Sequence, residues 1–425
     1  MTRHTRNWAG NYTYAATASH TPRDTDELQG IIRQDGPFTV IGTRHSFNGV
    51  ADTTGQHISL ARFDRVLALD PDRLTVTVEG GIRYGELSRH LDDRGFALRN
   101  LASLPHISVA GACATGTHGS GDTLGSLATA VQAIELVTAA GDVLRASRDT
   151  HGDAFHGMVV ALGALGVVTQ LTLDIVPSFR VRQDVYEHLP FDELEANFDD
   201  VTSGGYSVSL FTNWSGDTVD QAWVKRLAAH DTAETATPTW FGGTLARHAL
   251  HPIRSMSPEP CTPQLGVAGP WHERLPHFRA NFTPSSGNEL QSEYFVPRAH
   301  AAPAIAALRR MSADIAPLVQ VSEVRTVAAD DLWLSPCCGR ASVAVHFTWH
   351  PDEPAVRALL PQLEARLREF DARPHWAKLF TITPALLQDS YERLADFRAL
   401  ATSLDPHGKF RNAFLTDCLW RGAAS

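Results

Sequence analysis

Three segments in the second half of the chain place polar side chains on one face of a predicted strand. In SVAVHFTW, residues 342 to 349, apolar residues occupy every second position, so His346 and Thr348 share the other face. Glu323 and Arg325 share a face in the same way, opposite Val324. In LQSEYF the alternation sets one pair of residues against another: Ser292 and Tyr294 against Gln291 and Glu293.

These polar faces have two interpretations. Each face could simply meet water, as in a half-buried antiparallel sheet. Together with ARPHWAKLF at residues 372 to 380, however, they predict the floor of a pocket. Such a floor would combine hydrogen-bond acceptors, donors and groups of both kinds: Glu323, Arg325, Lys378, Ser103, His346 and Thr348. A chain of substrate hydroxyls needs that combination, so the residue types indicate a polyol and disfavour an apolar substrate.

A glycine-rich stretch, SLPHISVAGACATGTHGSG at residues 103 to 121, is the second candidate for chemistry. Glycine allows close approach of the backbone to a ligand, and free N–H groups and hydroxyls then suit an anion such as a pyrophosphate. It is not a P-loop, because Thr117 and His118 stand where Lys and Ser/Thr are needed, and no GxGxxG follows a strand in the chain. The alternative is a flexible surface loop.

The elements around this stretch predict an α+β domain. The apolar run at residues 37 to 41 is typical of a strand that ends at Gly42, which leaves His45 on the following loop. A strand at 73 to 81 precedes a helix at 84 to 95, a hairpin turns at residues 140 to 142, and a helix, a glycine break and a strand fill 153 to 176. The glycine-rich loop would lie on one rim of this domain.

A second domain begins after Pro177. YSVSLFTNW and QAWVKRL are typical of paired strands, and residues 228 to 263 indicate a long loop or excursion between strands. Amphipathic helices are expected at 300 to 318 and 353 to 370. This predicts an antiparallel sheet backed by helices. The boundaries are 1–177 for the first domain, 178–400 for the second, and 401–425 for a segment that returns to the first.

Composition limits the partners of the chain. Its 425 residues favour two domains, and 37 basic against 47 acidic residues give a net charge of −10, which disfavours nucleic acid and anionic membranes. The longest uncharged apolar run, residues 158 to 168, is far below the ~20 residues of a membrane span. The five cysteines lack zinc-ligand spacing. We therefore expect a cytoplasmic monomer with reduced cysteines, no metal and a small, neutral substrate.

Several motifs resemble a known family of flavoproteins. FTVIGTRHSFNG at 38 to 49, the glycine-rich stretch and GALGVVTQLTLDIVP at 163 to 177 resemble the flavin-binding half of the vanillyl-alcohol-oxidase superfamily. Downstream, GPWHERLPHFRANFTPSSGNELQSEYFVPR, EVRTVAADDLWLSP, HFTW, ARPHWAKLF and LDPHGKFRNAF are similar to segments of the bacterial alditol oxidases. The resemblance implies a PCMH-type FAD-binding domain and a substrate (cap) domain.

The resemblance also implies a covalent FAD. The residue that matches the family's flavin-linked histidine is His45, although Arg44 stands where family members usually have glycine. Residues at fourteen positions are expected to contact the cofactor: Ile41, Gly42, Thr43, Arg44, His45, Ser46, Ser103, Ser108, Gly111, Thr115, Gly116, Thr117, His118 and Val168.

The implied reaction is oxidation of a terminal alcohol of an alditol, such as xylitol, sorbitol or glycerol, to the aldose, with oxygen reduced to hydrogen peroxide. The family's substrate-site residues match Ser103, Glu323, Arg325, His346, Thr348 and Lys378. Arg325 and Lys378 would stabilise developing negative charge, and His346 is the candidate proton acceptor. Two alternatives stay open: an aldonolactone oxidase or dehydrogenase of the same superfamily, and a non-catalytic flavin-binding protein.

Overall fold

The computed structural model describes residues 6–229, 236–282 and 289–422. Up to residue 177 the strands are Ala18–His20 (β1), Phe38–Ile41 (β2), Gln56–Ser59 (β3), Val66–Asp70 (β4), Thr75–Glu79 (β5), Phe96–Ala97 (β6), Val131–Val137 (β7), Val143–Ser147 (β8), Val167–Asp174 (β9) and Val176–Pro177 (β10). The helices of this part are Thr25–Ile32 (α1), Tyr84–Asp92 (α2), Val109–Ala114 (α3), Arg148–His151 (α4) and Asp153–Val159 (α5).

The later strands are Arg180–Pro190 (β11), Ser207–Thr212 (β12), Thr218–Ala228 (β13), Thr239–Trp240 (β14), Gly243–Leu245 (β15), Gly269–Pro270 (β16), Leu290–Pro297 (β17), Val319–Val327 (β18), Ser342–Trp349 (β19) and Arg373–Pro374 (β20). The later helices are Phe191–Ala196 (α6), Phe198–Ser203 (α7), Ala301–Arg309 (α8), Ser312–Ile315 (α9), Glu353–Arg368 (α10), Pro384–Asp389 (α11), Leu394–Leu404 (α12) and Ala413–Leu415 (α13).

Two small sheets organise the first part. Strands β1, β3 and β2 pair in parallel, and β4, β5, β9, β7 and β8 form an antiparallel sheet in that order. In β9 every second residue is buried, as the sequence VVTQLTLD requires of a strand with one face on the core. The predicted hairpin around residues 140 to 142 is confirmed, because β7 pairs with β8 across that turn.

One large antiparallel sheet dominates the later part, in the order β14, β15, β11, β13, β12, β18, β19, β17 and β20, with β16 paired to β11. Its apolar face packs against α8 and α10. Val324, Val345, Phe347 and Trp349 are all buried in that layer. The expected sheet backed by helices and the α+β class are therefore confirmed, and the opposite face of β17, β18 and β19 turns toward the first part of the molecule.

One local prediction was wrong. The helix expected at 300 to 318 is divided into α8 and α9, because the chain tightens at Met311, whose N–H donates to Leu308 O and whose backbone leaves the helical region. The segment 228 to 263, of which residues 230–235 lie outside the described residues, is an excursion with strands of its own. Its residues Thr239–Trp240 and Gly243–Leu245 form a hairpin on the edge of the large sheet. Within the described residues, no helix is long and apolar enough to cross a membrane.

The end of the chain packs against its beginning. Lys409 Nζ donates to Ile32 O at 2.8 Å, and Asn412 Nδ2 donates to Asp52 O at 2.8 Å. Leu394 and Phe397 of α12 are buried in the same apolar cluster as β7 and β9. The C-terminal residues thus complete the core of the N-terminal part.

Candidate active site

A cavity of about 800 Å³ lies between the two parts of the molecule. One wall comes from the loop after β2, the turn after β5, the glycine-rich stretch and the five-stranded sheet; the other comes from β17, β18, β19 and residues 375 to 378. The cavity therefore has one wall that is rich in backbone groups and one wall of charged side chains.

The backbone-rich wall fits an extended dinucleotide. A Cβ atom at Gly80 would lie 2.4 Å from Val168 O, and one at Gly81 would lie 1.9 Å from Leu60 O, so only glycine fits this turn beside the cavity. Apolar side chains such as Leu136, Met158 and Leu165 line the cavity farther in. A cleft with exposed backbone along its length and an apolar end suits the pyrophosphate and rings of FAD.

Thirteen of the fourteen residues expected at the cofactor line this cavity, and Gly116 does not. Gly116 instead follows the C-cap of α3 with a φ of +69°, and a Cβ at this position would lie 3.3 Å from Pro336 Cδ. His118 lines the cavity, but its side chain is buried and both of its ring nitrogens contact other protein groups. Its Nδ1 lies 2.8 Å from Gly119 O and its Nε2 lies 3.1 Å from Glu293 Oε1. The imidazole of His118 therefore joins the glycine-rich stretch to the large sheet.

His45 stands at the cavity on the loop after β2. Its Nδ1 is 3.1 Å from Thr43 Oγ1, and its ring stacks on Trp8 with centroids 5.0 Å apart. Burial, assisted by Lys378, lowers the pKa of His45 to about 3, so its imidazole is neutral and nucleophilic. Arg44 adopts a φ of +64°, the left-handed conformation that glycine takes without cost.

The cavity brings together all six predicted substrate-site residues, five on the charged wall and Ser103 on the backbone-rich wall. Glu323 and His346 are directly opposite one another on β18 and β19. His346 Nε2 lies 3.2 Å from Thr348 Oγ1, and Arg325 Nη1 lies 3.4 Å from Ser103 Oγ across the two walls. The polar faces of these strands are buried, so the interpretation that they simply meet water is wrong.

Lys378 completes this group. Its Nζ donates to Gln291 Oε1 and lies 5.0 Å from the centre of the Phe47 ring. Burial lowers the pKa of Lys378 to about 8, although Glu293 opposes the shift. The ammonium group is thus close to its titration point at neutral pH, where it can donate strongly to an oxygen atom.

Glu293 is a residue of the site that the sequence analysis did not select. Its Oε1 accepts from Arg325 Nη2 at 2.6 Å and from His118, and its Oε2 lies 3.7 Å from His346 Nδ1. Burial would raise the pKa of Glu293, but Arg325 and His118 hold it well below its usual range. The alternation in LQSEYF already assigned Glu293 and Tyr294 to opposite faces of the strand. The sequence therefore indicated the face on which Glu293 lies, but not the residues that it contacts.

His277 and Lys225 were also missed. His277 Nε2 lies 2.7 Å from Glu323 Oε1, and Lys225 Nζ lies 3.1 Å from His277 Nδ1. No signal in the sequence indicated His277, because it lies in an irregular segment after a short turn. Lys225 lies in the predicted strand QAWVKRL, where a charged residue normally indicates a solvent-facing position.

Comparison with known proteins identifies the class first. Residues 16–147 match the model of an FAD binding domain, and residues 285–418 match the model described as D-arabinono-1,4-lactone oxidase. A cholesterol oxidase from B. sterolicum shares the fold, with a TM-score of 0.78, 15% identity, and coverage of 97% of this chain and 96% of that one. The fold and the site are those of a two-domain flavoprotein with an FAD-binding domain.

The relatives identify the family. An alditol oxidase from Streptomyces sp. is 50% identical over 417 residues, which are 97% of this chain and 98% of that protein. An L-gulono-1,4-lactone dehydrogenase from Mycobacterium tuberculosis is 29% identical over 96% of this chain and 97% of that protein. The chain belongs to the alditol oxidase family of FAD-dependent flavoproteins.

Proposed function

We propose that this protein is an FAD-dependent alditol oxidase, which oxidises the terminal primary alcohol of xylitol, sorbitol or a related polyol to the aldose and reduces oxygen to hydrogen peroxide. The observation that carries the proposal is the wall of buried Glu323, Arg325 and Thr348 and half-buried Lys378, which faces the backbone-rich cleft across one cavity. The 50% identity to an alditol oxidase supports the same substrate class.

The substrate is held through its hydroxyls. Glu323 accepts from remote hydroxyls, while Arg325 and Lys378 donate to the reacting oxygen as it loses its proton. FAD, when bound, accepts hydride from the carbinol carbon and passes two electrons to oxygen, which is released as hydrogen peroxide. The thirteen lining residues expected at the cofactor, together with Gly80 and Gly81, would hold it.

His346 is the proposed proton acceptor. Burial lowers the pKa of His346, so the ring is neutral and can take a proton. Its Nδ1 faces the Glu293 carboxylate and would carry the ring proton, which leaves the lone pair of Nε2, beside Thr348 Oγ1, to receive the hydroxyl proton. Glu293 Oε2, 3.7 Å from Nδ1, would then stabilise the imidazolium.

We also propose that His45 holds FAD covalently, through a bond from the imidazole to the methyl carbon of the flavin's dimethylbenzene ring. The family match of RHSFN, the neutral ring and its place at the cavity support this linkage. The left-handed backbone at Arg44 supports it further, because the chain adopts here the conformation for which other family members use glycine.

An aldonolactone oxidase or dehydrogenase is the second candidate, because residues 285–418 match a model described as a lactone oxidase and a lactone dehydrogenase is 29% identical. A non-catalytic flavin-binding protein is disfavoured, because it would bury Glu323, Arg325 and Glu293 beside the cleft without using them.

Oxygen consumption over xylitol, sorbitol, glycerol and L-gulono-1,4-lactone tests the proposal. We expect turnover of xylitol and sorbitol with stoichiometric hydrogen peroxide, and little turnover of the lactone. Anaerobic addition of xylitol should bleach the visible flavin spectrum, which separates catalysis from binding alone. Turnover of the lactone and not of the polyols would favour the second candidate.

A further inference from the structure

Three buried polar side chains form a line at the charged wall, in which Glu323 and His277 line the cavity and Lys225 does not. Lys225 of β13, His277 and Glu323 of β18 are 1%, 4% and 6% exposed. Lys225 Nζ lies 3.1 Å from His277 Nδ1, and His277 Nε2 lies 2.7 Å from Glu323 Oε1. Lys225 also donates to the backbone carbonyls of Leu275 and Pro276.

The chemistry of these groups fixes the direction of each hydrogen bond. Burial lowers the pKa of Lys225 to about 7. In its ammonium form the group has three donors and no acceptor, which match its contacts with Leu275 O, Pro276 O and His277 Nδ1, so Nδ1 accepts from it. A neutral imidazole that accepts at Nδ1 carries its proton on Nε2, and Nε2–H then donates to Glu323. Burial lowers the pKa of His277 to about 4, so the ring is neutral near pH 7.

The two carboxylate oxygens of Glu323 differ in their hydrogen-bond partners. Oε1 is occupied by His277 and lies 3.5 Å from Arg325 Nε. Oε2 has no hydrogen-bond partner in the part of the chain that the structure describes, and Glu323 lines the cavity. His277 therefore holds Oε1, and Oε2 can accept a hydrogen bond from a ligand.

The surroundings of His277 permit little movement. Its ring packs edge-on against Phe211 and Trp223, with centroids 5.4 Å and 5.3 Å away. Its backbone N–H bonds Ser103 O at 3.2 Å, which ties it to the glycine-rich stretch. Burying a lysine is costly unless its ammonium group is hydrogen-bonded, and Lys225 Nζ contacts two backbone carbonyls and the His277 ring. Its arrangement is that of a support for Glu323.

We propose that Lys225 and His277 are positioning residues that aim Glu323 Oε2 at the remote hydroxyls of the substrate. This role rests on the proposed polyol oxidation and extends it. It assigns polyol selectivity also to Lys225, which does not line the cavity, and to His277, whose two ring nitrogens already have protein partners. A rigid acceptor favours a substrate that already carries its hydroxyls at the required spacing.

Paired substitutions of His277 test the proposal on the flavin-loaded enzyme. His277→Gln keeps an N–H donor close to the Nε2 position, whereas His277→Phe keeps the volume and removes the donor. A charge-assisted hydrogen bond contributes ~1.5–3 kcal/mol, so His277→Phe should raise KM for xylitol by roughly tenfold or more. His277→Gln should recover most of that loss. For 1,2-propanediol, which is too short to reach Glu323, kcat/KM should change by less than about threefold.

Lys225→Met provides the second test, and Lys409→Met is its matched control. Lys409 also donates to buried backbone carbonyls, but it lies at the far side of the N-terminal part. Lys225→Met should raise KM for xylitol about three- to tenfold and leave KM for 1,2-propanediol nearly unchanged. Lys409→Met should affect KM for the two substrates equally.

Three results would overturn the proposal. Equal losses for xylitol and 1,2-propanediol in His277→Phe would indicate a general structural effect, and unchanged kinetics in both His277 variants would remove the support role. If Lys225→Met fails to fold, the His277 pair alone decides. A wild-type enzyme that does not oxidise xylitol would instead overturn the proposed function and, with it, this role.

Discussion

Arg44 and His45 illustrate how one backbone conformation would serve the proposed covalent bond. A side chain at a φ of +64° costs roughly 1–2 kcal/mol relative to glycine, yet the chain keeps Arg44 there. Contacts on both sides hold the loop, because Arg44 O accepts from Trp8 N at 2.8 Å and Asn7 Nδ2 donates to Ser46 O at 2.9 Å. The N-terminal segment therefore fixes the position of the His45 ring over the cavity.

Replacement of His45 by alanine should abolish covalent FAD, because no other nucleophile would replace the neutral imidazole at that point. Wild-type protein should stay yellow after acid precipitation and fluoresce as a band on a denaturing gel, and His45→Ala should do neither. His106, a second imidazole that lines the same cavity, provides the control. His106→Ala should keep the covalent flavin, and retention of the bond in His45→Ala would disprove the assignment.

Glu323 should determine whether the enzyme prefers a polyol to a simple alcohol. Its pKa is held well below the usual range by Arg325 and His277 despite burial, so it is an anion at neutral pH. Loss of one charge-assisted bond implies that Glu323→Gln reduces kcat/KM for xylitol by roughly ten- to a hundredfold, with a much smaller effect on a short diol.

A second buried glutamate, Glu364, serves as the control for Glu323. It accepts from Tyr294 and Thr381 on the opposite face of the large sheet. Glu364→Gln should therefore affect stability and leave the ratio between the two substrates unchanged. If Glu323→Gln reduces the turnover of both substrates equally, Glu323 does not belong to the substrate site.

The strands that carry the site were predictable from sequence because a strand has a strict period of two. The alternation in β18 and β19 assigned Glu323, Arg325, His346 and Thr348 to one face, and the structure confirms that assignment. Sheet order is different, since it depends on which distant strands pair. The link from Lys225 of β13 through His277 to Glu323 of β18 spans β12, and nothing in the local pattern indicates it.

The glycine-rich stretch should contribute to substrate binding as well as to the cofactor cleft. Ser103 begins this stretch, and its Oγ faces Arg325 Nη1 at 3.4 Å. We expect Ser103→Ala to raise KM for xylitol about three- to tenfold, because one hydroxyl contact and the orientation of Arg325 are lost. The flavin absorbance spectrum, measured in parallel, should change little. Loss of FAD from the variant would show that Ser103 serves the cofactor instead.

Whole-molecule geometry explains why the active site lies between the two parts of the chain. Backbone of one part and side chains of the other meet at several points, including Asn48 Nδ2, which donates to Trp376 O and Lys378 O at 2.8 Å each. His118 and Glu293 add a buried bridge nearby. These contacts fix the charged wall relative to the flavin cleft. Charged groups that are held in place before the reaction stabilise the transition state without having to reorganise.

We propose that residues 1–177 and 401–425 form the FAD-binding domain and that residues 178–400 form the cap domain. The contacts of Lys409 and Asn412 with the N-terminal part support the return of the chain. Helix α12, which begins at Leu394, shares the apolar cluster of the N-terminal part as well. In this topology the FAD-binding domain is complete only when the C-terminal segment has packed against the N-terminal part.

Phe410 provides the test of that requirement. It is 1% exposed and packs against Phe38 of β2, the strand that leads to His45, with ring centroids 6.4 Å apart. Phe410→Ala should reduce the free energy of unfolding by about 3–5 kcal/mol and lower the fraction of protein that carries FAD. Phe191→Ala, at an equally buried position of the cap layer, should destabilise the protein without lowering FAD content. Flavin fluorescence and circular dichroism during thermal unfolding measure both effects, and full FAD content in Phe410→Ala would contradict the assignment of the C-terminal segment to the FAD-binding domain.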